Sequence, residues 1–187
     1  MKRRTFDVLM SLAGALLTVV LLAAGGLAYW GYSFANTEVT SQLSAQKIYF
    51  PEAGSPALED PRVGPFLNRY AGQQLVTGEQ AKAYADHFIA VHVADASDGK
   101  TYAELGGLIR ANPEDTELVE TRETVFKGET LRGVLLNAYA FWKLGQLALI
   151  GSIAAFVAGG IMLILAALGF RHARRVSPEE EVLAAKT

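Results

Sequence analysis

The fold is decided by two stretches, VLMSLAGALLTVVLLAAGGLAYWGY at residues 8–32 and LGQLALIGSIAAFVAGGIMLILAALGF at residues 144–170. They are 25 and 27 residues long, and neither contains a charged side chain. A helix needs about 20 predominantly apolar residues to cross the hydrocarbon core of a bilayer. A helix also satisfies its backbone polar groups internally, as a membrane interior requires. Each stretch therefore predicts a transmembrane helix.

The residues that flank these stretches predict the orientation of the chain. Basic residues gather before the first span and after the second: Lys2, Arg3, Arg4, Arg171, Arg174 and Arg175. Because Lys and Arg prefer the cytoplasmic side, we expect a multi-pass protein of the cell membrane with both termini in the cytoplasm. Aromatic residues at the opposite ends of the spans suit anchors at the outer interface. They are Tyr29, Trp30, Tyr32, Tyr139 and Trp142.

Five segments follow from this pattern. We predict a cytoplasmic N-terminus at 1–7, spans at 8–32 and 144–170, an extracytoplasmic domain at 33–143 and a cytoplasmic tail at 171–187. A cleaved signal peptide is an alternative interpretation of the first span, because Ser33 and Ala35 are small residues at the two positions that a signal peptidase recognises. The apolar run exceeds the roughly 7–15 residues of a signal peptide's apolar region, which favours an uncleaved anchor.

The segment between the spans is acidic and contains no cysteine. Residues 33–140 hold 9 Lys or Arg and 15 Asp or Glu, a net charge of 9 − 15 = −6. This charge disfavours nucleic acid and anionic lipid as partners. The absence of cysteine from the whole chain excludes disulfides, thiolate catalysis and cysteine metal ligands.

Two capping-box patterns predict a mainly α-helical domain. Thr77 with Gln80 predicts a helix that runs to about residue 94, and Thr101 with Glu104 predicts one that ends near Asn112. Four prolines and two glycines at 51–65 indicate an irregular loop, and a short helix is expected at 66–71. Residues 36–46 are expected to prolong the first span as a helix.

Two further helices are predicted before the second span. Asn112 and Pro113 suit the start of a third helix, and Lys127-Gly128 suits its end. A fourth helix, from about Glu129, is expected to continue into the second span. The predicted fold class is therefore mainly α, with two transmembrane helices flanking a small helical domain.

The stretch DHFIAVHV at 86–93 raises the question of a metal site, because it contains two of the three histidines. His87 and His92 are five residues apart, which places them about 140° apart around an α-helix. Helical metal pairs prefer a spacing of four, so both histidines are weak metal candidates. We predict His92 on the apolar face, at least half-buried with one hydrogen-bond partner, and His87 on the surface near Asp86. An iron site of two histidines and a carboxylate is the alternative.

The second span carries small residues at intervals of four, namely Gly151, Ala155 and Gly159. Such a stripe lets another helix approach closely. The first span offers small residues in return, so we predict packing of the two spans within one chain. A homo-oligomer or a foreign membrane protein bound through the second span is the alternative.

Four segments carry a resemblance to a known family. They are YSFAN at 32–36, AQKIYFP at 45–51, LNRYAGQQLVTGEQAKAYADHFIAVHV at 67–93 and KGETLRGVLLNAYAF at 127–141. Together they resemble a family of small actinobacterial two-span membrane proteins of unknown function, some of which are labelled aromatic ring-opening dioxygenases. The resemblance implies the two-span topology and no activity. Those dioxygenases hold iron with two histidines and a glutamate, and no such motif occurs here.

The function predicted from the sequence is binding rather than catalysis. No Gly-x-Ser-x-Gly, Walker or Gly-x-Gly-x-x-Gly motif is present, so no catalytic residue and no cofactor is predicted. We expect a membrane-anchored extracytoplasmic binding, scaffold or accessory-subunit protein whose predicted partners are the lipid bilayer and a membrane protein, without nucleic acid. The alternatives are a metal-dependent membrane enzyme that uses His87 and His92, and a small envelope sensor.

Overall fold

The computed structural model describes residues 1–177 and 179–182, so the predicted tail at 171–187 lies partly outside the described residues. The described residues are mainly helical and contain no β-strand. A π turn, Ala85–Ile89, joins the fourth and fifth helices, and a 3-10 turn, Asn68–Tyr70, follows the third. The α-helices are α1 (Arg3–Gln46), α2 (Pro56–Glu59), α3 (Gly64–Leu67), α4 (Gly78–Tyr84), α5 (Ala90–Ala96), α6 (Tyr102–Ala111) and α7 (Thr116–Ala173).

Helices α1 and α7 are each long and apolar enough to cross a membrane. Within the most apolar 18-residue stretch, only 17% of the residues in α1 and 11% in α7 are buried. An apolar helix inside a soluble protein is mostly buried, whereas a spanning helix exposes its apolar side chains to lipid. Their exposure therefore favours a membrane protein.

The chain forms two compact units. The hairpin unit comprises Met1–Ser33 and Gln146–Thr187, and the helical domain comprises Phe34–Gly145. The domain starts one residue later and ends two residues later than the segment predicted at 33–143. Both α1 and α7 contribute residues to each unit.

Small residues at intervals of seven form the contact between the two helices of the hairpin unit. On α1 the buried residues Ser11, Thr18 and Gly25 are seven apart. On α7 the same spacing relates Ser152, Gly159, Ala166 and Ala173, all of them buried. A seven-residue repeat keeps one face of a helix against its partner in a left-handed pair, and small side chains let the backbones approach. We call these residues the seam.

Contacts along the seam show that the helices run antiparallel. A Cβ built on Gly14 would lie 3.4 Å from the Cβ of Ala166, and one on Gly25 would lie 3.1 Å from the ring of Phe156. The Ser152 hydroxyl donates a buried hydrogen bond of 2.8 Å to the carbonyl oxygen of Gly25. This bond links the two helices directly and satisfies a hydroxyl that would otherwise be unpaired in an apolar environment.

The predicted stripe of Gly151, Ala155 and Gly159 lies only partly at the contact between α1 and α7. Gly159 is buried, and a Cβ built on it would lie 3.1 Å from the Leu22 side chain. Ala155 is half-buried. Gly151, however, is exposed, and a Cβ built on it has no neighbouring atom within 4 Å, so Gly151 does not take part in the packing of α1 on α7. The seam follows the seven-residue spacing from Ser152 instead of the four-residue spacing from Gly151.

The helical domain has a core of buried aliphatic side chains from most of its helices. The fully buried members with the largest side chains include Leu43 on α1, Leu67 on α3, Leu105 on α6 and Leu135 on α7. Leu75, equally buried, belongs to the loop before α4. Burying one leucine contributes about 1.5–3 kcal/mol, so the domain depends on these contacts in place of disulfides.

The ends of the helices in the domain follow the predicted capping patterns. In both boxes the threonine side chain accepts from the backbone three residues on, and the Gln80 or Glu104 side chain accepts from the backbone of the cap. Helix α6 ends at Ala111 before Asn112, and α1 extends to Gln46, as predicted. The predicted loop at 51–65 differs, because it contains α2 and the start of α3.

The helix predicted to end at Lys127-Gly128 does not end there. Helix α7 begins at Thr116, where the Asp115 carboxylate accepts from the Leu118 backbone at 3.1 Å, and it continues without interruption through Gly128. A Cβ on Gly128 would overlap the Val93 side chain of α5. The glycine therefore permits close helix approach rather than ending a helix.

Replacing Gly128 by alanine is expected to destabilise the domain. The added methyl group must displace Val93, and overpacking of this kind costs about 1–3 kcal/mol. For a chain of this size each kcal/mol corresponds to roughly 2–4 °C in Tm. Thermal unfolding of the purified full chain, followed by circular dichroism, measures the shift.

Gly133→Ala is the matched control, because a Cβ at this helical position meets no atom within 4 Å. It should leave Tm unchanged or raise it, since alanine stabilises a helix interior by about 0.5–1 kcal/mol relative to glycine. The double variant Val93→Ala with Gly128→Ala should lose less than the sum of the single losses. Equal Tm values for Gly128→Ala and Gly133→Ala would contradict the close approach.

Candidate binding cleft

The helical domain contains an open cleft of about 650 Å³. Helix α3 contributes Pro65 and Phe66, and the 3-10 turn contributes Arg69. Helix α4 and the π turn supply the second wall, and the third wall comes from α7. The residues on these two walls are Glu79, Lys82, Ala83, His87, Tyr139, Trp142 and Lys143. Aromatic and charged groups thus share one concave surface, as is common in binding sites.

Helix α4 approaches α7 closely at Trp142, one of the residues that line the cleft. A Cβ on Gly78 would overlap the Trp142 side chain, so only glycine fits at the start of α4. The neighbouring Gln80 is buried, and its side-chain oxygen accepts from the backbone of Val76 at 2.8 Å and of Thr77 at 3.0 Å. Its amide donates to the Gln73 side chain at 3.3 Å. These bonds fix the loop that leads into α4.

His87 belongs to the π turn and lines the cleft. The imidazole stacks on the Phe66 ring with 3.6 Å between centroids and 4° between planes. His87 is half-buried, so the prediction of a surface residue is wrong. Ala81, Ala85, Ile89 and Val93 are buried at intervals of four. In a regular α-helix, residues four apart point in directions that differ by about 40°. The π turn has more residues per turn, so it keeps these four side chains closer to one face.

His92 lies on a neighbouring surface. As predicted, it lines up with Tyr84 and Phe88, whose rings are 4.7 Å apart, and its own ring is 4.3 Å from Phe88. Its Nδ1 lies 2.7 Å from the Phe88 carbonyl oxygen, which confirms one hydrogen-bond partner. The residue is nevertheless exposed, which corrects the prediction of burial.

The two histidines line different cavities. His87 faces the cleft, whereas His92 borders a separate pocket of about 450 Å³ with Thr124 and Lys127. Over residues 1–177 and 179–182, no group of three or more His, Asp or Glu side chains is arranged to hold a metal ion. His172, the third histidine, belongs to the hairpin unit, where its Nδ1 lies 2.8 Å from Asp7. The geometry does not bring His87 and His92 together as metal ligands.

No family model, curated protein or solved structure matches the chain. The function must therefore be argued from the residues of the cleft themselves.

The predicted interfacial anchors differ in their surroundings. Tyr29 and Trp30 are 53% and 63% exposed, and Tyr32 is half-buried with its ring 6.0 Å from that of Tyr29. Tyr139 and Trp142 are half-buried and 6.2 Å apart, and Trp142 packs against the core of the domain. The last two residues are therefore walls of the cleft as well as aromatic groups near a predicted span.

The charged residues of the cleft were not predicted as site residues. Arg69 and Glu79 form an ion pair of 3.1 Å although ten residues separate them in the chain. Lys82 pairs with Asp86 one helical turn later, and Arg132 of α7 approaches the same carboxylate at 3.5 Å. Only the Lys82–Asp86 spacing of four is a signal that the sequence offers. The other pairs depend on tertiary contacts.

Asp86 holds Lys82 in position and is itself perturbed. Burial raises the pKa of its carboxyl, but hydrogen bonds and charges from Lys82 and Arg132 outweigh burial and leave the pKa below its ordinary value. A lowered pKa in the folded state stabilises the fold above the unfolded-state pKa of about 3.9. That contribution is lost as the pH falls through the folded-state pKa.

Asp86→Asn is therefore expected to lower Tm at pH 7, because Lys82 and Arg132 lose their shared carboxylate. The difference from the wild type should shrink as the pH falls below about 4, where the wild-type carboxyl begins to protonate. Tm measured by circular dichroism between pH 3 and pH 7 tests this.

Asp98→Asn is the control, because the Asp98 side chain is 90% exposed and contacts only Lys100, at 3.4 Å, among the described residues. Its Tm should follow the wild type at every pH. A constant deficit for Asp86→Asn across the pH range would show that the ion pairs are not its cause.

Proposed function

We propose that the protein is a membrane-anchored binding or accessory-subunit protein that holds its helical domain at the outer face of the cell membrane. The observation that carries this proposal is the cleft. Several of its polar side chains are ion-paired or stacked, as Arg69–Glu79 and Phe66–His87 are, which positions them to recognise a ligand. Binding surfaces combine such aromatic groups with a few fixed polar groups.

Membrane placement is supported by the two apolar helices and by the charges at their ends. Basic residues precede the apolar part of α1 and follow that of α7, which favours cytoplasmic termini. Because a chain that crosses twice returns to its starting side, a domain between two spans lies on the opposite side. The metal-dependent enzyme gains no support, since His87 and His92 line different cavities.

The resemblance to small actinobacterial two-span proteins supports the membrane topology in this proposal. The segments at 67–93 and 127–141 that carry it include most of the residues lining the cleft, among them Arg69, Lys82, His87 and Tyr139. We infer that the chain belongs to that family and that the cleft belongs to the shared part of the sequence.

The topology is testable with single cysteines, because the chain has none of its own. Ala53 lies exposed in the loop before α2, and Arg174 lies exposed just after α7. A membrane-impermeant maleimide should label the Ala53→Cys variant in intact cells. It should label the Arg174→Cys variant only after the membrane is permeabilised. The reverse pattern would overturn the proposed placement of the domain.

A further inference from the structure

The cleft has an excess of positive charge although the domain as a whole is acidic. Three cations line it, Arg69, Lys82 and Lys143, beside the single carboxylate of Glu79. Glu79 pairs with Arg69, and Asp86, just outside the cleft, pairs with Lys82. Lys143 is exposed and has no carboxylate within ion-pair distance in the part of the chain that the structure describes. One cation is therefore left for a ligand.

Aromatic rings also line the cleft. The stacked Phe66 and His87 form one side of the cleft, with Phe66 45% exposed. Tyr139 and Trp142 form the other, and the Lys82 ammonium lies 5.3 Å from the centre of the Tyr139 ring. A ligand that fits must carry negative charge and also offer apolar surface to these rings. A phosphate ester of an amphiphile has both.

The position of Lys143 in the chain indicates where such a phosphate ester would come from. Trp142 and Lys143 immediately precede Leu144, where the uncharged run of α7 begins. Tryptophan and lysine at the end of a spanning helix lie at the level of the lipid headgroups. Under the proposed function, on which this step rests, the phosphates nearest to the cleft are those of the bilayer itself.

We propose that the cleft binds the phosphodiester headgroup of an anionic phospholipid. The Lys143 ammonium contacts the phosphate, and the N–H groups of Arg69 and Lys82, whose charges are balanced by Glu79 and Asp86, lie on the opposite wall. Tyr139 and Trp142 pack against the glycerol and the first part of the acyl chains. The net charge of −6 over residues 33–140 disfavours anionic lipid as a partner of the domain as a whole. The cleft differs from this average, because its cations outnumber its carboxylates.

The test uses the full chain in mild detergent with Trp30→Phe, which leaves Trp142 as the sole tryptophan. Short-chain phosphatidylglycerol is titrated while Trp142 fluorescence is recorded, and native mass spectrometry counts the bound lipids. Lys143→Gln should weaken binding roughly fivefold, the effect expected for one lysine near an anionic lipid surface.

Lys127→Gln is the matched control. Lys127 is also an exposed lysine of α7, but it borders the pocket next to His92 rather than the cleft. This variant should bind within twofold of the parent. Equal losses for Lys127→Gln and Lys143→Gln would show general attraction to the protein surface and would overturn the site.

The probes also distinguish the source of the phosphate. Short-chain phosphatidylcholine should bind less well than phosphatidylglycerol, and inorganic phosphate or glycerol 3-phosphate should not compete at equal concentration. Full competition by a soluble phosphate would overturn the lipid in favour of a free anion. Absence of saturable binding would also overturn the site while the cysteine-labelling result stands, so failure here is distinguishable from failure of the proposed topology.

Discussion

The close contact between α1 and α7 is the constraint on which both units of the structure depend. In the hairpin unit it is made by the seam, where glycine, serine, threonine and alanine leave the backbones near each other. Lipid supplies no hydrophobic force between spanning helices, so packing and hydrogen bonds must hold them. The Ser152 hydroxyl meets this need by donating across to the carbonyl of Gly25. The same helices meet again in the domain, where the rings of Phe34 and Phe141 are 6.4 Å apart.

Helix α7 links the packing of the domain to its cleft. Val125 and Leu135 are buried in the core, Gly128 admits Val93 of α5, and Trp142 packs on the start of α4. The residues that shape the cleft are therefore held by the elements that stabilise the fold. A site on such rigid supports keeps its geometry without a bound ligand, which lowers the entropic cost of binding.

The sequence was sufficient for features that depend on local chemistry. Length and hydropathy identified both long apolar helices, and each capping box identified the start of a helix because its bonds join residues three apart. Features that depend on tertiary contacts were missed. Gly128 was interpreted as a helix end because glycine serves both as a cap and as a point of close approach, and only the position of Val93 distinguishes the two uses.

The helix contact and the cleft also combine features that the sequence predicts with features that depend on tertiary contacts. The sequence shows the small residues of the second span, but two spacings compete in it, four from Gly151 and seven from Ser152, and the helix contact follows the second. The Ser152 hydroxyl, which donates across to Gly25, marks this face of the second span, whereas the Thr18 hydroxyl donates to Gly14 within its own helix. The burial of His87 is not predictable from its own segment, because the stacked ring comes from Phe66 of α3. The charges of the cleft come from separate elements, and no spacing in the sequence relates Arg69 to Lys143.

Disulfide formation between paired cysteines tests the contact of α1 with α7 most directly. A Cβ on Gly14 would lie 3.4 Å from that of Ala166, close to the roughly 3.5–4.5 Å of a disulfide. The pair Gly14→Cys with Ala166→Cys should therefore oxidise within a single chain and lose reactivity to maleimide. The control pair Gly14→Cys with Ile164→Cys should stay reactive, because Ile164 is 62% exposed. Equal oxidation of the two pairs, or covalent dimers in place of the internal disulfide, would contradict a hairpin closed within one chain.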